Sequence, residues 1–245
     1  MTEMMSESSF KIYASAKKPN IKYLPSPDLE LVPVSQFTDS DHFYFGQINR
    51  KTFQLEGIGI EVNSAGRVIH SAFRNGFPNG KGTLINNSNL LYCNGEFVNG
   101  KFEGTGTYIH HSGSIYEGQI KADNPNGFGI QTDPNGDIYE CNFVDGKREG
   151  LGKYTRNDGA VAEGQWENNY LNGYAITILP SGVEYFGNYK NGKNDGIGNL
   201  TSPDGRSISG KWALSKCEEG IYSDTKGREY KIPYEISYEK AISML

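Results

Sequence analysis

A bulky apolar residue recurs every 23 residues through the middle of the chain. The members of this register are Phe97, Ile120, Phe143, Trp166, Tyr189 and Trp212. A unit of fixed length repeated without insertions is typical of a solenoid-like array, in which each repeat buries its apolar face against its neighbours. Short motifs in such a chain are therefore interpreted first as parts of the repeat.

Three short elements recur in the same order within each repeat. The first is a Tyr-x-Gly-x-aromatic pattern, as in residues 185–189 (YFGNY), with Ile120 in place of the second ring in residues 116–120 (YEGQI) and Ala162 in place of the tyrosine in residues 162–166 (AEGQW). About ten residues later a Gly-x-Gly follows, and the repeat closes on a turn glycine such as Gly136 or Gly159. The pattern predicts eight repeats, from near Phe43 to near Gly227, with irregular outer copies, as terminal repeats usually are.

The local spacing favours β-structure throughout the array. Tyr116, Gly118 and Ile120 are two residues apart, so they share one face of an extended strand, while the polar residues between them face the other way. Asn-Gly and Asp-Gly dipeptides predict hairpin turns, and no helical periodicity competes with them. At Gly164 we expect the missing Cβ to let neighbouring rings fold over the backbone.

The repeat, with Tyr-x-Gly-x-Trp-x-x-Gly, Gly-x-Gly and Asp-Gly in register, resembles the MORN repeat over residues 43–227. Cys141 in place of a glycine and Cys93 and Ala162 in place of a tyrosine depart from the pattern in single copies. The resemblance implies an all-β fold: an elongated, single-layer antiparallel meander of stacked β-hairpins. Such a single sheet has no second layer, so its aromatic face stays partly wet unless a partner covers it.

Two flanks lie outside the repeats. Residues 1–42 are expected to form an extended or flexible segment, mildly basic through Lys11, Lys17, Lys18 and Lys22. Residues 228–245 are compatible with a short amphipathic helix, which would be marginal on its own. We interpret this helix as a cap on the last hairpin or as an element that docks on a partner.

Charge and cysteine content limit which partners and which cellular compartment fit the chain. The net charge is −5, with acids and bases mixed, which argues against nucleic acid as a partner and, more weakly, against an anionic membrane. No apolar run approaches about 18 residues. Three cysteines, an odd number, favour a reducing compartment, and a cytoplasmic location is predicted. Cys93 and Cys141 lie about two repeats apart, roughly 20 Å, too far for a disulfide.

Several motifs resemble chemical sites but fit the repeat better. Residues 76–83 (GFPNGKGT) lack the spacing and the βαβ context of a phosphate loop. His110 and His111 have no further ligands at zinc spacing, and residues 133–140 lack the layout of a calcium loop. No nucleophile has an evident partner. We therefore expect no enzymatic activity, no cofactor and no metal.

The aromatic column is the candidate interaction site. Its residues are Phe97, Tyr116, Tyr139, Phe143, Trp166, Tyr185, Tyr189 and Trp212. In one interpretation the rings stack only to hold hairpins together. In the other they also anchor a partner's helix or extended peptide in a groove. Both can hold at once.

The leading hypothesis is a non-catalytic scaffold for protein partners. Proteins built almost wholly of MORN repeats are similar in this, and the resemblance implies a place in a cytoskeletal assembly, such as a ciliary or axonemal radial spoke. One alternative is a tether for membranes or phosphoinositides, and another is a targeting subunit for a separate enzyme. The oligomeric state stays open. Partner sites are expected first where the repeat is irregular, at Cys93, Cys141, the unit around Tyr222 and the flanks.

Overall fold

The computed structural model describes residues 28–32, 38–39, 42–86 and 90–245. These residues belong to two compact units, Met1–Pro125 and Asn126–Leu245. The four tail lysines named above lie outside the described residues.

The first unit is an antiparallel series of strands. Its strands are β1 (Leu29–Val32), β2 (Thr38–Asp39), β3 (His42–Asn49), β4 (Leu55–Asn63), β5 (Val68–Arg74), β6 (Phe77–Ile85), β7 (Leu90–Val98), β8 (Lys101–His110) and β9 (Ile115–Lys121). From β3 to β9 each strand pairs with the next. Strands β1 and β2, from the non-repeat segment, both pair with β3.

The second unit continues the same pattern and ends in a helix. Its strands are β10 (Asn124–Thr132), β11 (Ile138–Val144), β12 (Lys147–Thr155), β13 (Val161–Glu167), β14 (Tyr170–Ile178), β15 (Glu184–Lys190), β16 (Lys193–Thr201), β17 (Ser207–Ala213), β18 (Lys216–Ser223), β19 (Glu229–Ile232) and β20 (Ile236–Ser237). Strands β19 and β20 both pair with β18. Helix α1 spans Tyr238–Met244, and the Ser237 hydroxyl caps it by accepting from the Lys240 N–H. The predicted all-β fold, antiparallel meander and short C-terminal helix are confirmed.

Two kinds of turn alternate along the chain. After β5 and every second strand from there to β17 comes a two-residue turn with positive φ at both positions, as at Asn75-Gly76 (51° and 84°). This is the turn that matches the twist of a hairpin, and it explains the preference for Asn-Gly there. After β4, and after every second strand from β8 to β18, a longer turn closes on a glycine, as where the Gly136 N–H donates to the Asp133 carbonyl. The predicted turn positions at both ends of the repeat are confirmed.

Glycines from adjacent strands lie opposite each other along the sheet. Gly152 faces Gly164, and Gly164 in turn faces Ala175. A Cβ added at Gly164 would overlap the Ala175 side chain and would lie 2.7 Å from the Tyr174 carbonyl oxygen. The predicted steric role of Gly164 is therefore real, but the obstacle is the neighbouring strand and not a ring.

Side chains alternate between two faces of each strand. We call the face that carries the ring column the inner face and the opposite one the outer face. In β13 the inner residues Ala162 and Trp166 are buried, while the outer residues Glu163 and Gln165 are exposed. The inner-face core of the second unit runs through Tyr185, Leu200, Ile208 and Trp212. This alternation is the one predicted from the spacing of two.

Candidate protein-binding site

The predicted ring column lies on the inner face, and most of it is covered by the chain itself. Seven of the eight predicted residues are at most 8% exposed: Phe97, Tyr116, Phe143, Trp166, Tyr185, Tyr189 and Trp212. Tyr139 is half-buried. The rings thus hold neighbouring hairpins together, and the surface that a partner can reach is smaller than the column itself.

In the first unit the rings form a closed set. Phe97 and Phe102 lie opposite each other on β7 and β8, with ring centroids 3.9 Å apart. Tyr108 packs edge-on against Phe102 at 6.0 Å and contacts Tyr116 at 6.2 Å. The Tyr116 hydroxyl donates to the Gln119 carbonyl at 2.7 Å. All four residues are at most 2% exposed, so they offer almost no surface to a ligand.

In the second unit helix α1 covers part of the column. The Tyr238 ring packs against Tyr185 at 6.0 Å and against Trp212 at 5.9 Å, both near-perpendicular. Ile242, Met244 and Leu245 add apolar contacts to the same core. We call Tyr185, Tyr189 and Trp212 the covered set.

Polar contacts fix the chain end over the covered set. An Arg206 guanidinium N–H donates to the Met244 carbonyl at 3.2 Å, and the Ser202 hydroxyl donates to the Leu245 oxygen at 3.4 Å. Lys216 forms an exposed ion pair with Glu235 just before the helix. An exposed pair contributes little, so apolar packing is the main force that seats α1.

Next to the covered set lies a half-buried group that we call the open set: Tyr139, Arg148, Tyr154 and Trp166. The Tyr139 and Tyr154 rings stack at 4.7 Å, and Tyr139 meets Trp166 edge-on at 5.8 Å. The Arg148 guanidinium lies 3.8 Å over the Tyr139 ring and 5.4 Å from the Trp166 ring. Tyr139, Arg148 and Tyr154 keep part of their surface accessible.

The open set contains two hydrogen-bond donors that nothing satisfies within the described parts of the chain. They are Arg148 Nε and Trp166 Nε1, and both atoms are buried. Another Arg148 nitrogen donates to the Asn169 carbonyl at 3.2 Å. A buried donor without an acceptor costs free energy, so an acceptor brought to this place would stabilise it.

Comparison with known proteins now identifies the repeat. A family model for the MORN repeat matches six consecutive segments that together cover more than half of the chain. These are residues 71–89, 93–115, 116–138, 139–161, 163–183 and 185–205. The chain belongs to the MORN-repeat family. No curated protein sequence matches this MORN-repeat chain significantly.

Solved structures give looser matches to the MORN array. The TCP10 domain of Danio rerio CPAP is 10% identical with a TM-score of 0.42, covering 77% of this chain and 92% of that one. The TCP domain of Drosophila melanogaster SAS-4 (dCPAP), in complex with a proline-rich motif of Ana2 (dSTIL), is 11% identical with a TM-score of 0.36, covering 71% and 88%. At TM-scores below 0.5 these superpositions carry no information on function.

Hydrogen bonds to Asp137 hold one member of the open set, Tyr154, in place. The Tyr154 hydroxyl donates to Asp137 Oδ2 at 2.8 Å, and the Asn157 N–H donates to Asp137 Oδ1 at 2.9 Å. Desolvation raises the pKa of Asp137, but these hydrogen bonds outweigh it and leave that pKa below its usual value. Desolvation and the same bond raise the pKa of Tyr154, which stays neutral. The network fixes the Tyr154 ring against Tyr139.

Two of the irregular positions of the MORN array are buried cysteines. Cys93 and Cys141 are at most 1% exposed, so their own side chains offer a partner almost no surface. Burial raises the pKa of the Cys141 thiol to about 11, which keeps it protonated and unreactive at neutral pH. Cys141 fills the space beside Gly152. Tyr222 is half-buried, and binding of a partner at the irregular units stays a prediction.

Among the described residues no group of three or more His, Cys, Asp or Glu side chains is arranged to hold a metal ion. No described helix has the length and apolarity needed to cross a bilayer.

Sequence reasoning missed half of the open set, because Arg148 and Tyr154 were not in the predicted column. A signal was present in the sequence. Arg148 follows Phe143 by five residues, as Phe102 follows Phe97, and each faces that phenylalanine across a hairpin. A charged residue at a position otherwise held by buried residues indicates a locally different surface.

Proposed function

We propose that the chain is a non-catalytic scaffold that docks a short amphipathic helix of a partner protein on the open set of the second unit. The observation that carries the proposal is helix α1, which lies on the same ring column one step further along. An inner face that accepts a helix over Tyr185 and Trp212 offers the same ring chemistry at Tyr139 and Trp166. Helix-in-groove recognition uses such apolar anchors.

The charge of Arg148 refines the chemistry of the partner. The Arg148 side chain is half-buried, so part of it remains accessible to a partner. A partner helix with one aromatic or aliphatic anchor and one nearby carboxylate suits the accessible Tyr139 and Tyr154 rings and this guanidinium. Charge-assisted hydrogen bonds to arginine are among the stronger polar contacts in interfaces.

We further propose that the partner belongs to a cytoskeletal assembly of the cytoplasm, with a cilium or axoneme as the specific setting. Membership in the MORN-repeat family supports an interaction role. Three free thiols, all buried, fit a reducing compartment.

The test is a pull-down from a ciliary cytoskeletal extract with the wild-type chain and an Arg148→Ala variant. We expect a stoichiometric partner with the wild type and its loss with the variant. Phe77→Ser, which removes an exposed ring (57%) from the first unit, is the matched control and should retain the partner. Circular dichroism melting confirms that each variant is folded.

Two outcomes would overturn the proposal. One is recovery of the wild-type chain without any stoichiometric protein. The other is equal recovery of the partner with Arg148→Ala and wild type. Salt-resistant flotation with phosphoinositide vesicles, unaffected by Arg148→Ala, would favour a membrane tether instead.

A further inference from the structure

The outer face of the second unit carries a column of exposed apolar residues. The middle position of Gly-x-Gly is Phe128, Leu151, Tyr174 and Ile197 in four successive repeats, and each of these residues is more than half exposed. In the first unit the same position is held by Ile58, which is buried, and by the polar residues Lys81 and Thr105. Single exposed apolar residues are ordinary, but a column with a fixed spacing forms a patch.

The most prominent part of this patch is a pair of rings. Tyr174 on β14 and Phe186 on β15 stack with centroids 6.2 Å apart and planes 23° apart. They are 59% and 58% exposed. Ile176 lies directly opposite Phe186 and supports the pair at its base. We call Tyr174 and Phe186 the ring pair, and it protrudes from the sheet.

A shallow depression lies on the same face, toward the end of the second unit. Its apolar walls are Ile197 and Ile221, and the glycines Gly210 and Gly220 line it side by side. Lys211 and Lys231 stand at its rim, together with Glu219 and Glu229. It has room for side chains from outside the chain, about 630 Å³.

We propose that this outer face is the interface of a homodimer, in which the ring pair of each copy enters the depression of the other. A twofold axis between the copies makes this contact reciprocal, because each copy supplies one protrusion and one depression. Two sheets facing each other at about 10 Å interdigitate their side chains in this way. The contact leaves the inner face untouched, so it does not depend on the function proposed above.

The charges around the two halves of the contact are complementary. Glu184 lies two residues from Phe186 on the same face, beside the ring pair. Lys231 lies opposite Ile221, beside the depression. Within the described residues neither has an ion-pair partner, whereas Lys153 pairs with Glu163. In the proposed dimer, Glu184 of one copy pairs with Lys231 of the other.

The accessible area suits a weak dimer. The five most accessible apolar side chains of the patch are Leu151, Tyr174, Phe186, Ile197 and Ile221. At roughly 100 Å² each they bury about 500 Å² per copy and about 1,000 Å² in total, the lower limit for a specific interface. The balanced charges at the rim do not suit an anionic lipid surface, which needs an excess of lysine or arginine.

Sedimentation equilibrium of the full chain from about 1 to about 200 µM tests the proposal. The wild type should show a monomer–dimer equilibrium with a dissociation constant on the order of 10 µM. Phe186→Ser should raise that constant at least about tenfold, as expected for a central aromatic anchor. Phe77→Ser, which removes an equally exposed ring (57%) from the first unit, should leave it unchanged.

Exchanging the charges of Glu184 and Lys231 tests whether these two residues pair across the dimer contact. Glu184→Lys and Lys231→Glu should each weaken the dimer, and the double variant should restore it to within about threefold of the wild type. A wild type that stays monomeric across the whole range would overturn the proposal, whether or not another protein covers the patch. A dimer that is indifferent to Phe186→Ser would overturn it as well.

Discussion

Phe102 in the first unit and Arg148 in the second occupy the same position of the repeat, five residues after a buried phenylalanine. Phe102 closes its ring set, in which four rings are at most 2% exposed. Arg148 lies over Tyr139 and leaves its set half-open. The same repeat therefore produces a fully buried ring set in one unit and a partly accessible one in the other.

The outer faces of the two units differ in the polarity of their exposed residues, and here it is the second unit that is the more apolar. The middle of Gly-x-Gly in the first unit is the buried Ile58 or a polar residue, Lys81 or Thr105, whereas in the second unit it is apolar and exposed at Leu151, Tyr174 and Ile197. The flanking glycines are kept while the residue between them varies. In the second unit this variable position carries the exposed patch on which the proposed dimer rests.

The largest change in stability is expected when the closed ring set of the first unit loses a ring. Phe102→Ala should lower the free energy of unfolding by about 4 kcal/mol, because it removes a fully buried ring and leaves a cavity. Phe77→Ala, at a 57% exposed position of the same unit, should change it by less than about 0.5 kcal/mol. Urea unfolding followed by circular dichroism measures both. Similar losses for the two variants would refute the closed packing.

A second variant tests the glycine contacts that both units share. Gly164→Val should cost about 3 kcal/mol, because the new side chain meets Ala175 and the Tyr174 carbonyl on the facing strand. Gly59→Ala should cost less, since its nearest obstacle is 3.3 Å away. The same urea titration compares them. Unchanged stability of Gly164→Val would contradict the account of the close strand approach.

A smaller effect is expected when the open set loses its cation. Arg148→Met should reduce stability by about 1 kcal/mol, as it replaces a cation–π contact with an apolar chain of similar reach. In a Trp212→Phe background, which leaves Trp166 as the single tryptophan, the emission maximum should shift as well. An unaltered spectrum would place Arg148 away from Trp166.

The smallest effect is a pH dependence confined to the second unit. Because the pKa of Asp137 is lowered in the folded chain, its carboxylate stabilises the fold above the ordinary aspartate pKa of about 3.9. That contribution disappears as pH falls through the lower folded value. The difference in unfolding free energy between wild type and Asp137→Asn should thus shrink between pH 6 and pH 3. An equal difference at pH 6 and at pH 3 would contradict this account of Asp137.

The fold was largely predictable because the repeat dictates it locally. Glycines at turn positions such as Gly76 and Gly136 need positive φ, and the spacing of two at Tyr116 and Ile120 sets the strand faces. Such rules act within one hairpin, so they are legible without knowledge of the whole chain.

The accessible part of the site was less predictable because exposure is a property of packing. Tyr139 and Trp166 hold the two bulky positions of the repeat, yet how much of each is accessible depends on their contacts with Arg148 and Tyr154. Residues at outer positions, such as Tyr174 and Phe186, fit the sheet as well as polar residues would. The sequence pattern gives them no structural role, and their exposure emerges from the three-dimensional structure.

Hydroxyl-radical footprinting of the chain, isolated and within its native assembly, tests the central claim that the second unit carries the interaction surfaces. The account predicts that assembly protects Tyr139 and Tyr154 on the inner face and the ring pair on the outer face. Phe77 and Val98, exposed in the first unit, should react equally in both states. Protection of Phe77 and Val98 with no change at Tyr139, Tyr154 and the ring pair would contradict it.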